Sequence, residues 1–143
     1  MLALAQITTP AAASHVDQYK VAGGMAVYFG VLPPEIVRGH APEHPEGTMH
    51  GGATRGRKYS HVVIALFETN AGKRISDADV YARVAGRGLA GERKKLEAMK
   101  IDDTVSYGNE FTMSAKGPYR ITVEIRSAGA AKPVTVEFEY KHH

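Results

Sequence analysis

Short runs of alternating apolar and polar residues, separated by turns rich in glycine and proline, constrain the fold of this 143-residue chain more than any other feature. The clearest run, Tyr119–Arg126, has the sequence Y-R-I-T-V-E-I-R and places its apolar residues on one face of a strand. Met25–Leu32 and Asp79–Ala85 alternate in the same way. Lys58–Thr69 is almost continuously apolar, which predicts a central strand buried on both faces. We therefore predict an all-β protein.

Glycines indicate where neighbouring strands turn or approach one another closely. Gly23-Gly24 follows Gln18–Ala22 and is either a hairpin turn or a break within one strand. Gly108 lies inside the strand predicted over Thr104–Met113, where it marks a bulge or the close approach of another group.

The segment Ala90–Met99 permits two interpretations. Its residues are good helix formers, yet it alternates around Leu96 and Ala98 and follows two glycines, so we predict a strand or a short turn. A last strand is predicted over Pro133–Tyr140. About seven to nine short strands with regularly spaced turns predict an immunoglobulin-like antiparallel β-sandwich, with a barrel as the alternative. The chain length predicts one such domain, over residues 14–143.

Composition excludes several classes of function. The net charge is +3 with scattered basic residues, and the Arg93-Lys94-Lys95 cluster lacks interleaved aromatic residues, so nucleic acid is not an expected partner. The chain has no cysteine, which excludes disulfides, iron–sulfur clusters and thiol nucleophiles. Nucleophile-elbow, phosphate-loop, dinucleotide-binding and zinc-protease motifs are also absent from the sequence, so we do not expect an enzyme.

The first thirteen residues are uncharged, and they end in Ala11-Ala12-Ala13 before Ser14. This ending resembles a signal-peptidase site, although the basic start of a signal peptide is missing. Residues 1–13 are therefore interpreted as the remnant of a signal peptide, with a flexible tail as the alternative. The first interpretation predicts an exported, periplasmic protein. The final two histidines are either native or the remainder of a purification tag.

A histidine-rich segment, His40–His61, contains the candidate metal ligands. It holds four of the seven histidines, together with acidic residues and a methionine. Its glycines and prolines predict a loop over most of its length. Imidazole suits copper, zinc, iron and nickel, and a thioether favours copper. The alternative is a solvated polar loop that happens to be rich in histidine.

The order of motifs along the chain resembles that of a known family. The motifs are His44-x-Glu46-x-x-x-His50, then Met99 followed after six residues by Ser106-Tyr107-Gly108 and by Met113, and then Gly117-x-Tyr119. They resemble the periplasmic copper-binding partners of bacterial high-affinity iron permeases, an immunoglobulin-like, dimeric family. The resemblance covers about Met25 to Arg126. A weaker resemblance points to YtkA-like exported β-sandwich domains.

This resemblance implies that His44, Glu46 and Met99 are metal ligands, with His50 nearby. Two positions depart from the family pattern: Ser106 stands where the family has a metal-binding histidine, and Glu124 stands where it has a histidine in the strand after Gly-x-Tyr. The expected substitutes are His40, His50 and His61. Glu124 is expected to suit a harder metal such as iron or manganese, and loss of the site is the remaining alternative.

The function that the resemblance implies is binding of copper, or of iron or another divalent transition metal, in the periplasm. The expected partners are the metal ion and a membrane permease or another periplasmic protein, and the expected assembly is a homodimer. A second hypothesis is a non-catalytic β-sandwich interaction module that has lost the metal site. Each candidate ligand also has a structural interpretation: Met99 as a core filler and His61 as a hydrogen-bonded core histidine. Tyr107 and Tyr119 are interpreted as core tyrosines with backbone partners.

Overall fold

The computed structural model describes residues 18–32 and 59–142. Within them the chain forms eight antiparallel strands and no helix, as the alternating pattern predicts. The strands are β1 (Tyr19–Ala22), β2 (Met25–Leu32), β3 (Tyr59–Glu68), β4 (Asp79–Gly86), β5 (Glu92–Ile101), β6 (Thr104–Thr112), β7 (Tyr119–Arg126) and β8 (Val134–Tyr140). The described residues contain no helix that is long and apolar enough to cross a membrane. The expectation for residues 1–13 lies outside the described part, and a single domain over 14–143 stays a prediction.

The strands lie in the order β1-β2-β3-β6-β5-β4-β7-β8. Strand β5 belongs to both halves, because Glu92–Leu96 pairs with β4 whereas Glu97–Ile101 pairs with β6. Strands β4 to β6 are joined by consecutive hairpins, and β7 returns to lie beside β4, which is a Greek-key connection. The predicted antiparallel sandwich is therefore confirmed, and β5 joins its two sheets into one nearly closed sheet.

The apolar core lies between the two halves. Phe29 of β2 stacks on Phe138 of β8 with ring centroids 4.9 Å apart, so the two ends of the strand order face each other. Strand β7 alternates between buried and more accessible residues along its length, as predicted. The core positions are Met25, Val27, Phe29, Val62, Ile64, Leu66, Val80, Ala82, Val84, Leu96, Tyr107, Phe111, Met113, Tyr119, Ile121, Val123, Ile125, Val136 and Phe138.

Two details differ from the sequence prediction. Alternation predicts that Ala98 points inward with Leu96, but Ala98 is exposed and lies beyond the last residue of β5 that pairs with β4. Burial of β3 on both faces holds only for its first third, Ser60–Val62. Beyond Val62 the strand alternates between buried and half-buried residues. The Gly23-Gly24 turn is a hairpin turn with φ of +57° and +74°, values that glycine adopts at no steric cost.

The hydroxyls of the buried residues Tyr107 and Tyr119 form hydrogen bonds with backbone groups, as predicted. The Tyr107 hydroxyl accepts from the amide of Ala78 (3.1 Å) and donates to the carbonyl of Ile75 (3.3 Å). Tyr119 makes the same kind of pair with both backbone groups of Ala115. Burial raises the pKa of the Tyr107 phenol above its usual value of 10.0. Each ring is therefore held by apolar packing, and its hydroxyl is held by backbone hydrogen bonds.

Candidate metal site

The candidate ligands fall into two groups. His40, His44, Glu46 and His50 lie outside the described residues, so their positions stay predictions. Met99 and His61 are described, and each is only 1% exposed. Those two side chains and their surroundings define the candidate site in the described part of the chain.

His61 lies on the face of β3 that is turned away from the core. Its neighbours Ser60 and Val62 point inward, and alternation places His61 on the opposite face. The residue directly across from it on β6 is Glu110, which shares this outer face. Both residues are nevertheless buried. His61 is therefore a buried histidine outside the core, on a sheet face that the core does not cover.

Met99 lies on the same outer face. Its cross-strand partner on β6 is Ser106, two residues from Gly108 and four from Glu110, so all three β6 positions share one side of the sheet. Leu96 belongs to the apolar core, but Met99 has the opposite parity on β5 and is not part of it. Met99 is thus buried without filling the core.

Gly108 is the point on which His61 and Met99 converge. A Cβ atom built on Gly108 would lie 2.6 Å from Nε2 of His61 and 2.7 Å from Cε of Met99. The two side-chain ends are therefore no farther apart than the sum of these distances. A side chain at position 108 would occupy the space that both now use. The close approach predicted at Gly108 is confirmed, and the continuous register shows that it is not a bulge.

An arginine occupies the neighbouring position. Nη2 of Arg74 donates to Oγ of Ser106 (2.6 Å), and Nε of Arg74 donates to the carbonyl of Val105 (2.9 Å). The guanidinium also lies over the ring of Phe67, 4.8 Å from its centroid. Three contacts therefore hold a positive charge beside Ser106, the residue that pairs with Met99.

Two carboxylates are placed near Gly108 by the register. Glu97 is the cross-strand partner of Gly108 and is exposed, whereas Glu110 is 8% exposed. Lys94 donates to the backbone carbonyl of Glu110 at 2.6 Å. Across residues 18–32 and 59–142, no group of three histidine, cysteine, aspartate or glutamate side chains is arranged to hold a metal. The described part thus supplies one imidazole and one thioether at close range.

Glu124 does not join this cluster within the chain. It lies on β7 in the other sheet, and its neighbours Val123 and Ile125 point into the core. Its Oε1 accepts from Nε of Arg126 (3.1 Å), and Oε2 lies 3.9 Å from Nη2 of Arg93. Arg126 and Arg93 thus compensate the Glu124 charge on the sheet that does not contain Gly108.

Sequence reasoning missed Arg74, Glu97 and Glu110 as neighbours of the site. Arg74 is 32 residues from Ser106 in the chain, and the intervening residues pass into the other sheet before returning. The alternation of β5 did indicate that Glu97 and Met99 share one face of the sheet. Both are an odd number of positions from the core residue Leu96, so they lie on the face opposite to it.

Several solved structures have a fold similar to that of this chain. No family model matches the sequence, and no curated protein matches it. A DUF4426 family protein of known structure from Pseudomonas aeruginosa is 16% identical. The match covers 87% of this chain and 94% of the Pseudomonas chain, with a TM-score of 0.61. A copper-bound variant of FetP from uropathogenic Escherichia coli strain F11 is 17% identical over 89% of this chain and 95% of its own, with a TM-score of 0.65. Copper-reconstituted P19 from Campylobacter jejuni is 17% identical, and the match covers 87% of this chain and 92% of the P19 chain, with a TM-score of 0.64.

The similarity to FetP and P19 confirms the resemblance suspected from the sequence. At these identities it establishes the shared fold.

Proposed function

We propose that this protein binds copper in the periplasm and takes part in metal uptake or delivery without catalysing a reaction. The observation that supports the proposal is the convergence of His61 Nε2 and Met99 Cε on Gly108, on a buried face outside the core. Imidazole and thioether together suit copper better than magnesium, calcium or manganese, which prefer oxygen ligands. The copper-bound neighbours of the same fold support the same metal.

The ligand set that we propose has two parts. His61 and Met99 come from β3 and β5 and are held by the sheet, which fixes their separation. His44, Glu46, His50 and His40 are proposed to complete the set, as the spacing of the histidine-rich segment and the resemblance imply. In this arrangement the sheet positions two ligands in advance, and the remaining ligands come from a different stretch of the chain. Copper is the cargo, so exchange with a partner is part of the function.

The partner, the assembly and the alternative metal are proposed from the family resemblance. A membrane permease or another periplasmic protein receives or supplies the metal, and the protein acts as a homodimer. Iron or another divalent transition metal is the alternative cargo. The periplasmic location is proposed from the same resemblance.

A second candidate function is a non-catalytic interaction module that has lost the metal site. An exposed aromatic patch supports it: Tyr19 is 47% exposed and Tyr28 is 46% exposed, with their ring centroids 4.8 Å apart. Phe67 packs edge-on against Tyr28 at 5.5 Å, and the three rings line a cavity of about 260 Å³. Exposed aromatic clusters are typical of protein interfaces. This patch predicts partner binding that does not require metal.

Metal titration of the full chain separates the two functions. Cu(I), Cu(II), Zn(II) and Fe(II) are added separately and followed by calorimetry, with a His44→Ala/His50→Ala double variant and a Met99→Leu variant beside the wild type. We expect stoichiometric copper binding that both variants weaken. Copper binding no tighter than that of an unstructured histidine-containing peptide would contradict metal binding and leave the interaction module.

A further inference from the structure

We infer that Arg74 makes this site selective for Cu(I) over Cu(II) and other divalent ions. The inference rests on the proposed function, because it assigns a specificity determinant to the same site. Its basis is the chemistry of the residues around Gly108: one thioether, one imidazole and one guanidinium held next to them.

The thioether of Met99 favours the monovalent ion. The Met99 sulfur is a soft ligand, and soft ligands select Cu(I) among the copper ions. The position directly across from Met99 is Ser106, whose hydroxyl accepts from Arg74 at 2.6 Å. Ser106 thus offers its oxygen to a guanidinium, and the site lacks a second imidazole at this point of β6.

The charge of Arg74 acts in the same direction. Its guanidinium is held by Ser106, by the carbonyl of Val105 and by the ring of Phe67, so it cannot swing away without losing three contacts. Ser106 and Gly108 are two residues apart on β6, so the guanidinium held at Ser106 lies about 7 Å from the end of the Met99 side chain beside Gly108. The repulsion scales with the charge of the ion, so Cu(II) experiences twice the repulsion of Cu(I).

The magnitude is large enough to measure. At about 7 Å and an effective dielectric constant of about 20, one extra unit of ion charge changes the affinity ratio by roughly tenfold after solvent screening is allowed for. The carboxylates of Glu97 and Glu110 attract Cu(II) more strongly than Cu(I), so their charge opposes that of Arg74. Since they are unchanged in the variants below, the comparison isolates the charge of Arg74.

The experiment compares four proteins: wild type, Arg74→Gln, Arg74→Lys and Arg87→Gln. Arg87 is exposed in the loop between β4 and β5, away from Gly108, so Arg87→Gln has the same net charge as Arg74→Gln and is the matched control. Cu(I) affinity is measured without oxygen by competition with a Cu(I) chelator, and Cu(II) affinity by competition with glycine. Circular dichroism checks that each protein is folded.

We expect wild type to bind Cu(I) more tightly than Cu(II). Arg74→Gln is expected to raise the Cu(II)-to-Cu(I) affinity ratio about tenfold, whereas Arg74→Lys and Arg87→Gln keep the wild-type ratio. A Ser106→His/Arg74→Gln variant adds an imidazole across from Met99 and is expected to raise Cu(II) affinity further.

Equal wild-type affinity for the two ions would overturn the selectivity and leave copper binding intact. An Arg74→Gln ratio equal to that of Arg87→Gln would overturn the role of Arg74. Failure of wild type to bind either ion would remove the proposed function and this inference with it. The three outcomes are therefore distinguishable from one another.

Discussion

Gly108→Ala is the substitution that tests the candidate site with the smallest change. The new Cβ would lie 2.6 Å from His61 Nε2 and 2.7 Å from Met99 Cε, both shorter than real Cβ contacts. It would also lie 3.0 Å from the carbonyl oxygen of Val62, a backbone atom that cannot rotate away. Both candidate ligands must therefore move to admit one methyl group.

The cost can be estimated from the same contacts. Overpacking at a buried site costs about 1–3 kcal/mol of unfolding free energy. The ends of the Met99 and His61 side chains can rotate, which favours the lower half of this range. Replacing glycine in a strand returns roughly 0.5–1 kcal/mol of backbone entropy. We expect a net loss of about 1 kcal/mol, and a loss of copper affinity of roughly tenfold or more, since about 1.4 kcal/mol of binding energy corresponds to one factor of ten.

Gly30→Ala is the matched control. Gly30 pairs with Val63, and Val63 pairs with Gly108, so the two glycines lie in one row on the same face of the sheet. A Cβ built on Gly30 meets no atom within 4 Å. Gly30→Ala is therefore expected to be neutral or slightly stabilising and to leave copper binding unchanged.

Urea unfolding at constant m-value gives the stability of the two variants, and calorimetry gives their copper affinity. If Gly108→Ala matches Gly30→Ala in both measurements, the convergence of His61 and Met99 on Gly108 does not describe the protein in solution.

Three further outcomes are expected. Met99→Leu conserves volume, so it should change the unfolding free energy by less than about 1.5 kcal/mol while it weakens copper binding, as calorimetry and urea unfolding would measure; unchanged copper binding would exclude the thioether. Burial raises the folded-state pKa of Tyr107, so the stabilising contribution of its protonated phenol is complete below about pH 10 and is lost as the pH rises further. The urea midpoint should therefore decline less at alkaline pH in Tyr107→Phe than in the wild type. An equal decline in both proteins would refute the raised pKa. His142 donates from Nε2 to the Met113 carbonyl (2.9 Å) and contacts Tyr140, so His142→Ala should lower stability by about 1 kcal/mol in thermal melts whereas Lys141→Ala does not, and equal melts would show that these contacts do not form.

The strands were predictable because each depends on local sequence. Tyr119–Arg126 alternates without interruption, and its alternation fixes both the strand and the face that enters the core. Val80, Ala82 and Val84 follow the same rule on β4. The close approach at Gly108 was predictable because glycine weakens a strand interior and typically occurs there at a bulge or where another group comes near the backbone.

The parts that sequence did not reveal depend on contacts between distant residues. Alternation from Leu96 places Ala98 inward only if β5 stays in one sheet, whereas β5 changes partners between these two residues. The continuous apolar run of β3 hid the fact that His61 has the opposite parity to Val62 and lies outside the core. Arg74 reaches Ser106 across 32 residues of chain, which no local pattern encodes.

The histidine near the C-terminus also shows this limit. The sequence does not distinguish a native His142 from part of a tag, yet its ring packs against Tyr140 with centroids 5.0 Å apart and bonds the Met113 carbonyl. Its role depends on the tertiary structure, so composition alone could not assign it.

X-ray absorption at the copper edge tests the central claim most directly, because it reports the atoms bound to the metal. The full chain is loaded with one equivalent of Cu(I) and compared with a Met99→Leu variant loaded in the same way. We expect a sulfur scatterer together with nitrogen scatterers in the wild type, and loss of the sulfur in Met99→Leu. A wild-type spectrum with nitrogen and oxygen neighbours only would contradict a site built on Met99 and His61.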